Sequence, residues 1–266
     1  MKKLIPTIAF AALTALAPFA AHADVYSGNG ATGFGGPVGN GSLTITSTPS
    51  GSVTFTLNPA GGSLGGGHLV LYLDTVSGGL NNTSTLTDNA DGGRRAISGY
   101  YPSNPNDGNA TTRTVANFAS GFGADYAIDF EDGFVGLFAL PASGGSPLIF
   151  TPSTAPSQTG AAYSLTLEDS DIGKTTGTSF NFVGTLISDS DYRSNETIGA
   201  STTTPDTGAA PNVGFNGSVT FTPSDLYTLA PAAAPESSGL ATVLMVAGVL
   251  GVCVMGRRRY AVQNAA

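Results

Sequence analysis

The chain has no tryptophan, one cysteine (Cys253), two histidines (His22 and His68) and only ten Lys and Arg in 266 residues. A single thiol excludes an intrachain disulfide framework and a thiolate metal site. Two histidines, one of them expected to leave with a leader peptide, exclude a multi-histidine metal cage within one chain. Charged residues make up 11% of the chain, less than half the roughly 25% of an average soluble domain. The formal net charge is −8, and a chain so short of basic side chains is a poor match for phosphate backbones, so nucleic acid is excluded as a partner. Between its two ends, no stretch carries the 3.6-residue apolar period over three turns, which excludes an all-helical fold.

What the chain has instead is 37 Gly and 16 Pro, with abundant Ser and Thr. That composition suits short strands joined by tight turns. Leu43-Thr44-Ile45-Thr46 and Val53-Thr54-Phe55-Thr56-Leu57 alternate apolar with hydroxyl side chains, the pattern of a sheet with one wet face. Pro49-Ser50-Gly51 between them predicts a hairpin turn. Leu69 to Leu73 is apolar at every position and predicts a central strand. Tyr126 to Phe130 and Phe134 to Phe138 flank Asp132-Gly133 as a second hairpin. Further strands are expected at 163–167, 180–183, 219–222 and 226–229. The fold expected is all-β, a two-sheet antiparallel β-sandwich of jelly-roll type over residues 24–230. Gly51 to Thr56 recurs as Gly217 to Thr222 (Gly-Ser-Val-Thr-Phe-Thr), which suggests that these early and late strands are sheet neighbours. Polar loops are expected at Ser201–Pro211 and at Asn104–Thr112, the second of them mobile.

Both ends read as addresses. Lys2 and Lys3, the apolar run Leu4 to Ala17, and the small residues Ala21 and Ala23 form a signal peptide, residues 1–23, with a mature start at Asp24. Gly239 to Gly256 is 18 residues without a charge, followed by Arg257, Arg258 and Arg259. A helix of that length spans about 27 Å, close to the roughly 30 Å of a bilayer core. The arginines hold residues 257–266 in the cytoplasm as a basic tail, so the domain lies outside. Residues 231–238 form a Pro-rich linker carrying Pro235-Glu236. Cys253 reads as a small apolar residue of the span.

The Pro-Glu pair, the single span and the Arg cluster together resemble the PEP-CTERM sorting signal, with Ser237 where the usual motif has its second Pro. The resemblance implies an inner-membrane-anchored intermediate cut by an exosortase-type enzyme and then placed on the cell surface or released. Signal peptidase is the other processing partner implied. Within the domain, Asp91 to Gly99, Ala124 to Ile128 and Tyr192 to Glu196 are similar to segments of exported bacterial surface proteins with a sandwich akin to DOMON domains and family 9 carbohydrate-binding modules.

The domain holds Arg94, Arg95, Arg113, Lys174 and Arg193 against seventeen acidic residues. Acidic groups recur as Asp125, Asp129, Glu131 and Asp132, then Glu168, Asp169 and Asp171, then Asp189 and Asp191. Paired carboxylates are the requirement of glycoside hydrolysis, but acids at strand ends are ordinarily solvated turn formers. Asp88, Asp91, Asp169 and Asp171 are the candidates for a structural calcium ion, which takes six to eight oxygens; no other cofactor is expected. Tyr100, Tyr101 and Tyr192 are the candidate platforms for a glycan. His68, after three glycines, reads as a surface residue at a strand end. Arg94 and Arg95 read as a pair split between strand faces, one of them matched to a carboxylate. The function expected is that of an exported, non-enzymatic surface or extracellular-matrix protein. A module attaching to exopolysaccharide is the alternative, and a secreted hydrolase with paired acids the third reading.

Overall fold

Alternation builds the first sheet. Leu43, Ile45, Val53, Phe55 and Leu57 are fully buried, while Thr44, Thr46, Thr54 and Thr56 between them are half-exposed. Successive side chains of a strand point to opposite faces, so these segments bury one face and wet the other. The computed structural model describes residues 20–152, 155–159, 161–204 and 212–233. The expected span at 239–256, Pro235, Glu236, Arg257, Arg258, Arg259, Cys253 and most of the leader lie outside those residues. Among the described residues no helix is long and apolar enough to cross a membrane.

In chain order the strands are β1 (His22–Ser27), β2 (Ser42–Ser47), β3 (Ser52–Asn58), β4 (Gly67–Asp74), β5 (Tyr100–Asn104), β6 (Ala110–Arg113), β7 (Val115–Asn117), β8 (Tyr126–Glu131) and β9 (Phe134–Ala139). They continue as β10 (Ile149–Thr151), β11 (Ala155–Thr159), β12 (Ala162–Glu168), β13 (Ser179–Ser188), β14 (Arg193–Ile198), β15 (Ser201–Thr204), β16 (Ser218–Phe221) and β17 (Asp225–Thr228). Among the described residues one α-helix, α1 (Gly92–Ser98), precedes β5.

The protein is all-β and sandwich-like. One sheet has the order β1-β2-β3-β12-β11, and a seven-stranded sheet has the order β10-β9-β8-β4-β13-β14, with β17 also on β13. Every pairing in these two sheets is antiparallel. Both expected hairpins form, β2 with β3 and β8 with β9, and β4 is central between β8 and β13. Leu43, Phe55 and Leu165 of the first sheet share one core with Leu71, Phe130 and Phe182 of the second.

The seven-stranded sheet is covered a second time. On its other face Val70, Tyr72, Val183 and Ile187 pack with Ile97 of α1 and with Phe118 and Phe221. β4 is therefore buried without a break from Gly67 through Leu73. Two small sheets, β15-β16-β7 and β5-β6, complete the architecture, and β16 runs parallel to β7.

Several expectations need correction. The echoing strands β3 and β16 lie in different sheets, because matching alternation specifies a half-buried strand and not its partner. Ser201–Thr204 is strand rather than loop, pairing with β16. The segment 104–112 carries a 3-10 turn, Pro105–Asp107, and most of β6. The expected cut after Ala23 stands apart from these: in the uncut chain His22 and Ala23 open β1, pairing with Ser47 and Thr46.

A buried acid organises the Gly-rich segment between β1 and β2. Glu196 of β14 is fully buried. Its Oε1 accepts from Phe34 N at 2.6 Å and Gly36 N at 3.1 Å, and its Oε2 from Val38 N at 2.9 Å and Gly39 N at 3.0 Å. One carboxylate thus satisfies four backbone donors of an irregular loop, which is how such a loop can be buried at all.

Candidate functional site

Strand register assembles the site. Leu69 of β4 pairs with Phe130 of β8, and Val70 pairs with Asp129. One further step sets His68 beside Glu131, with Asp129 on the diagonal. Because facing alternates, Leu69, Ile128 and Phe130 enter the main core, and His68, Asp129 and Glu131 turn to the second face. On either side, Ile187 pairs with His68 and Phe134 with Glu131.

His68 Nδ1 lies 3.0 Å from Asp129 Oδ1 and 3.2 Å from Oδ2. Its Nε2 faces Glu131 Oε2 at 3.5 Å, longer than an ordinary hydrogen bond. Asp129 is fully buried and His68 is 2% exposed, whereas Glu131 is 34% exposed and opens toward solvent. The expectation of a surface histidine is thus corrected: α1 and the turn at Asp189 cover this strand end. Burial opposes the imidazolium. The hydrogen bond to Asp129 and the charges of Asp129, Glu131 and Asp189 outweigh it, so His68 titrates above its ordinary value. Burial, with repulsion from Asp129, raises Glu131.

The roof is the first turn of α1. Asp91 caps it by accepting from Arg94 N at 2.8 Å. Gly99 ends it in the left-handed region at φ 58°, and a Cβ there would lie 2.0 Å from Thr114 O. Gly92 and Gly93 bring the helix backbone down on the cluster, since a Cβ on Gly93 would lie 2.3 Å from Asp129 Oδ2. Sequence reasoning missed this helix, and with it the correct setting of Arg94 and Arg95. Both are helical, not split across a strand. Arg94 Nη1 donates to Asp91 Oδ2, so the expected match of one arginine to a carboxylate is present. Arg95 Nε donates to Asp189 O at 2.9 Å.

Beside the cluster opens a cleft of about 350 Å³ lined by Phe134, Phe138, Phe150, Asp91, Arg94 and Glu131. Phe150 of the edge strand β10 is 40% exposed. Its ring centroid stands 5.5 Å from that of Phe138 and 6.0 Å from that of Phe134. Gly136 makes room for them: a Cβ there would sit 2.4 Å from the Phe134 ring and 2.9 Å from that of Phe150. The Arg94 guanidinium lies 5.1 Å from the Phe138 centroid. A larger cleft of about 480 Å³ lies among the turns around Gly78 and Gly121. It carries no ionisable side chain, so it offers little chemistry.

The other sequence-predicted residues are dispersed. Asp88 accepts from Leu148 N at 2.7 Å and Ala90 N at 3.2 Å, and lies 3.5 Å from Arg94 Nε. Asp88 and Asp91 thus share Arg94 as counter-charge. Asp171 accepts from Glu168 N at 2.9 Å in a capping box. Asp169 is buried with both carboxylate oxygens lacking a hydrogen-bond partner, and burial followed by Glu168 raises its pKa. Tyr100 lies under the Arg113 guanidinium at 4.4 Å and Tyr101 under that of Arg95 at 4.7 Å. Tyr192 packs between Phe34 and Phe215. Among the described residues, the cluster of three side chains able to share a metal ion is His68, Asp129 and Glu131. No family model, no curated protein and no solved structure matches this chain.

Proposed function

We propose that this is an exported, non-enzymatic surface or extracellular-matrix protein whose jelly-roll-like sandwich holds a carbohydrate in the phenylalanine cleft. The observation that carries the reading is the cleft's make-up. Three phenylalanine rings, one on an exposed edge strand, stand beside the polar groups of Asp91, Arg94 and Glu131. Sugars present apolar C–H faces that pack on rings and hydroxyls that bond carboxylates and guanidinium groups. The volume falls at the small end of ligand sites, which run from about 300 to 1,000 Å³.

A hydrolase is disfavoured on the same geometry. Asp91 is engaged by the Arg94 backbone and guanidinium, and Asp129 lies fully buried against His68. Of the two acids that line the cleft, Glu131 and Asp91, Asp91 is held as a helix cap and an ion-pair partner, where glycoside hydrolysis ordinarily needs two acids free to act. The terminal signals supply the route: removal of residues 1–23 by signal peptidase, transient anchoring by 239–256, and processing near Pro235-Glu236 by an exosortase-type enzyme. Exopolysaccharide is the polymer such a protein meets at the cell surface.

A glycan array probed with the full chain tests the ligand. Binding to at least one polysaccharide is expected, with Phe150→Ala abolishing it and Tyr101→Ala leaving it intact. Undiminished binding by Phe150→Ala overturns the cleft as the site. Intact mass of the protein from its native host tests the route, with an N-terminus at Asp24 expected.

A further inference from the structure

We infer that His68 and Glu131 hold a divalent transition-metal ion of the zinc class, with Asp129 orienting the imidazole. The inference goes beyond glycan binding and does not depend on it.

The first support is the bite. Zinc bonds to imidazole nitrogen and to carboxylate oxygen are both close to 2.0–2.2 Å, so two such ligands at a tetrahedral angle stand about 3.3–3.5 Å apart. His68 Nε2 and Glu131 Oε2 are 3.5 Å apart. That is too long for a good hydrogen bond and right for a shared ion.

The second is the imidazole's orientation. Asp129 takes the Nδ1 side at 3.0 Å, which holds a proton on Nδ1, so an ion at Nε2 would displace only the second proton of the imidazolium and face Glu131. A ligating histidine ordinarily makes this hydrogen bond through its other nitrogen, and the bond raises ligand basicity. Asp129 is therefore a positioning residue rather than a ligand.

The third is space and charge. Gly92 has no side chain where a Cβ would stand 3.4 Å from Asp189 Cβ and 3.6 Å from His68 Nε2. The missing side chain leaves the ring nitrogen open on the Gly92 side, where solvent supplies the remaining ligands. Asp129 and Glu131 lie 3.0 and 3.5 Å from the two ring nitrogens, while the nearby Arg94 is engaged with Asp91 and Asp88. An added cation relieves that excess of negative charge. Glu131 opens the path inward from the cleft.

The donor set selects the metal. An imidazole nitrogen with carboxylate oxygens suits zinc, cobalt or nickel, whereas calcium takes six to eight oxygens. A general-base role for the Asp129–His68 pair fits less well. Among the described residues no hydroxyl or thiol hydrogen-bonds Nε2, and Glu131 stands in that place.

The test uses the full chain, stripped with chelator and titrated with Zn²⁺ by calorimetry and with Co²⁺ by visible absorption. No glycan is present, so failure here leaves the cleft reading untouched. One equivalent per chain is expected, with the intense visible bands of a low-coordinate cobalt site. Glu131→Gln, on a part-exposed side chain, keeps the fold and weakens binding at least tenfold; Asp129→Asn weakens it about 10–100-fold. His22→Gln removes the surface His22–Asp24 pair, whose atoms also stand 3.5 Å apart, and leaves binding unchanged. Absence of stoichiometric binding by the parent chain overturns the inference. So does binding that survives both Glu131→Gln and His68→Gln, or that is lost with His22→Gln.

Discussion

The two large sheets are made from the same residue types and behave differently. In the five-stranded sheet, burial alternates along β2, β3 and β12, because one face meets the core and the other meets water. In the seven-stranded sheet, β4, β8 and β9 are buried on both faces, because α1, the small sheets and the loops cover what would have been the wet side. Polar side chains on that second face cannot be left to solvent. They are collected into internal groups: His68 with Asp129, Thr114 with Asp191, and Arg193 with Thr185. The candidate site belongs to the doubly covered sheet for this reason. A histidine on the wet face of the other sheet would be a solvated side chain.

The largest test of this contrast is Phe182→Ala on β13, where the ring is fully buried in the shared core. A loss of about 3–5 kcal/mol is expected, the range for truncating a core aromatic, read from urea unfolding. Glu196→Gln follows. The amide replaces a charged acceptor of four backbone N–H groups by a neutral group that is half donor, and a loss of about 2–3 kcal/mol is expected, comparable to one bond to a charged group.

A pH series separates the sheets further. Burial pushes the carboxyl of Asp191 up from 3.8 to about 7, against the hydrogen bond from Thr114 and the pull of Arg193. The folded state therefore holds this proton where the unfolded chain has released it. Stability contributed by the protonated form is full below 3.8 and is lost as pH rises toward about 7. Asp191→Asn should flatten that fall in Tm over the same window. An unchanged slope would show that another group sets it.

The smallest effect belongs to the wet face. Thr54→Val removes the 2.9 Å contact with Thr166 across β3 and β12. Less than about 1 kcal/mol should be lost, as for other exposed cross-strand pairs. A larger loss would mean that this face is covered too.

Legibility followed the same divide. Alternation of Leu43-Thr44-Ile45-Thr46 with its neighbour gave away β2 and β3, and the unbroken apolar run at Leu69 to Leu73 marked a central strand. The helix α1 was not legible. At seven residues, opening Gly-Gly and anchored by Ala96 and Ile97, it is too short to display a helical period. Asp91 was read as a candidate for calcium, and its capping role was not legible without the helix behind it. That Arg113 and Arg95 lie over the rings of Tyr100 and Tyr101 was not legible, because nothing local places them there. Phe134 and Phe138 were read only as parts of a hairpin strand, and their gathering with Phe150 at an edge depends on β10 pairing with β9.

By itself the amino-acid order determined an all-β domain with one-sided strands and tight turns, and it placed acidic residues at strand ends. Those are properties of neighbours in the chain, set by the two-residue period of a strand and by the turn chemistry of Gly, Pro and Asp. Only the tertiary structure decided which strands are partners, that the second sheet is covered twice, and that His68, Asp129 and Glu131 share a face beneath Gly92 and Gly93. Residues 61 positions apart meet there through cross-strand register, and register depends on how two faces pack, which no local pattern records.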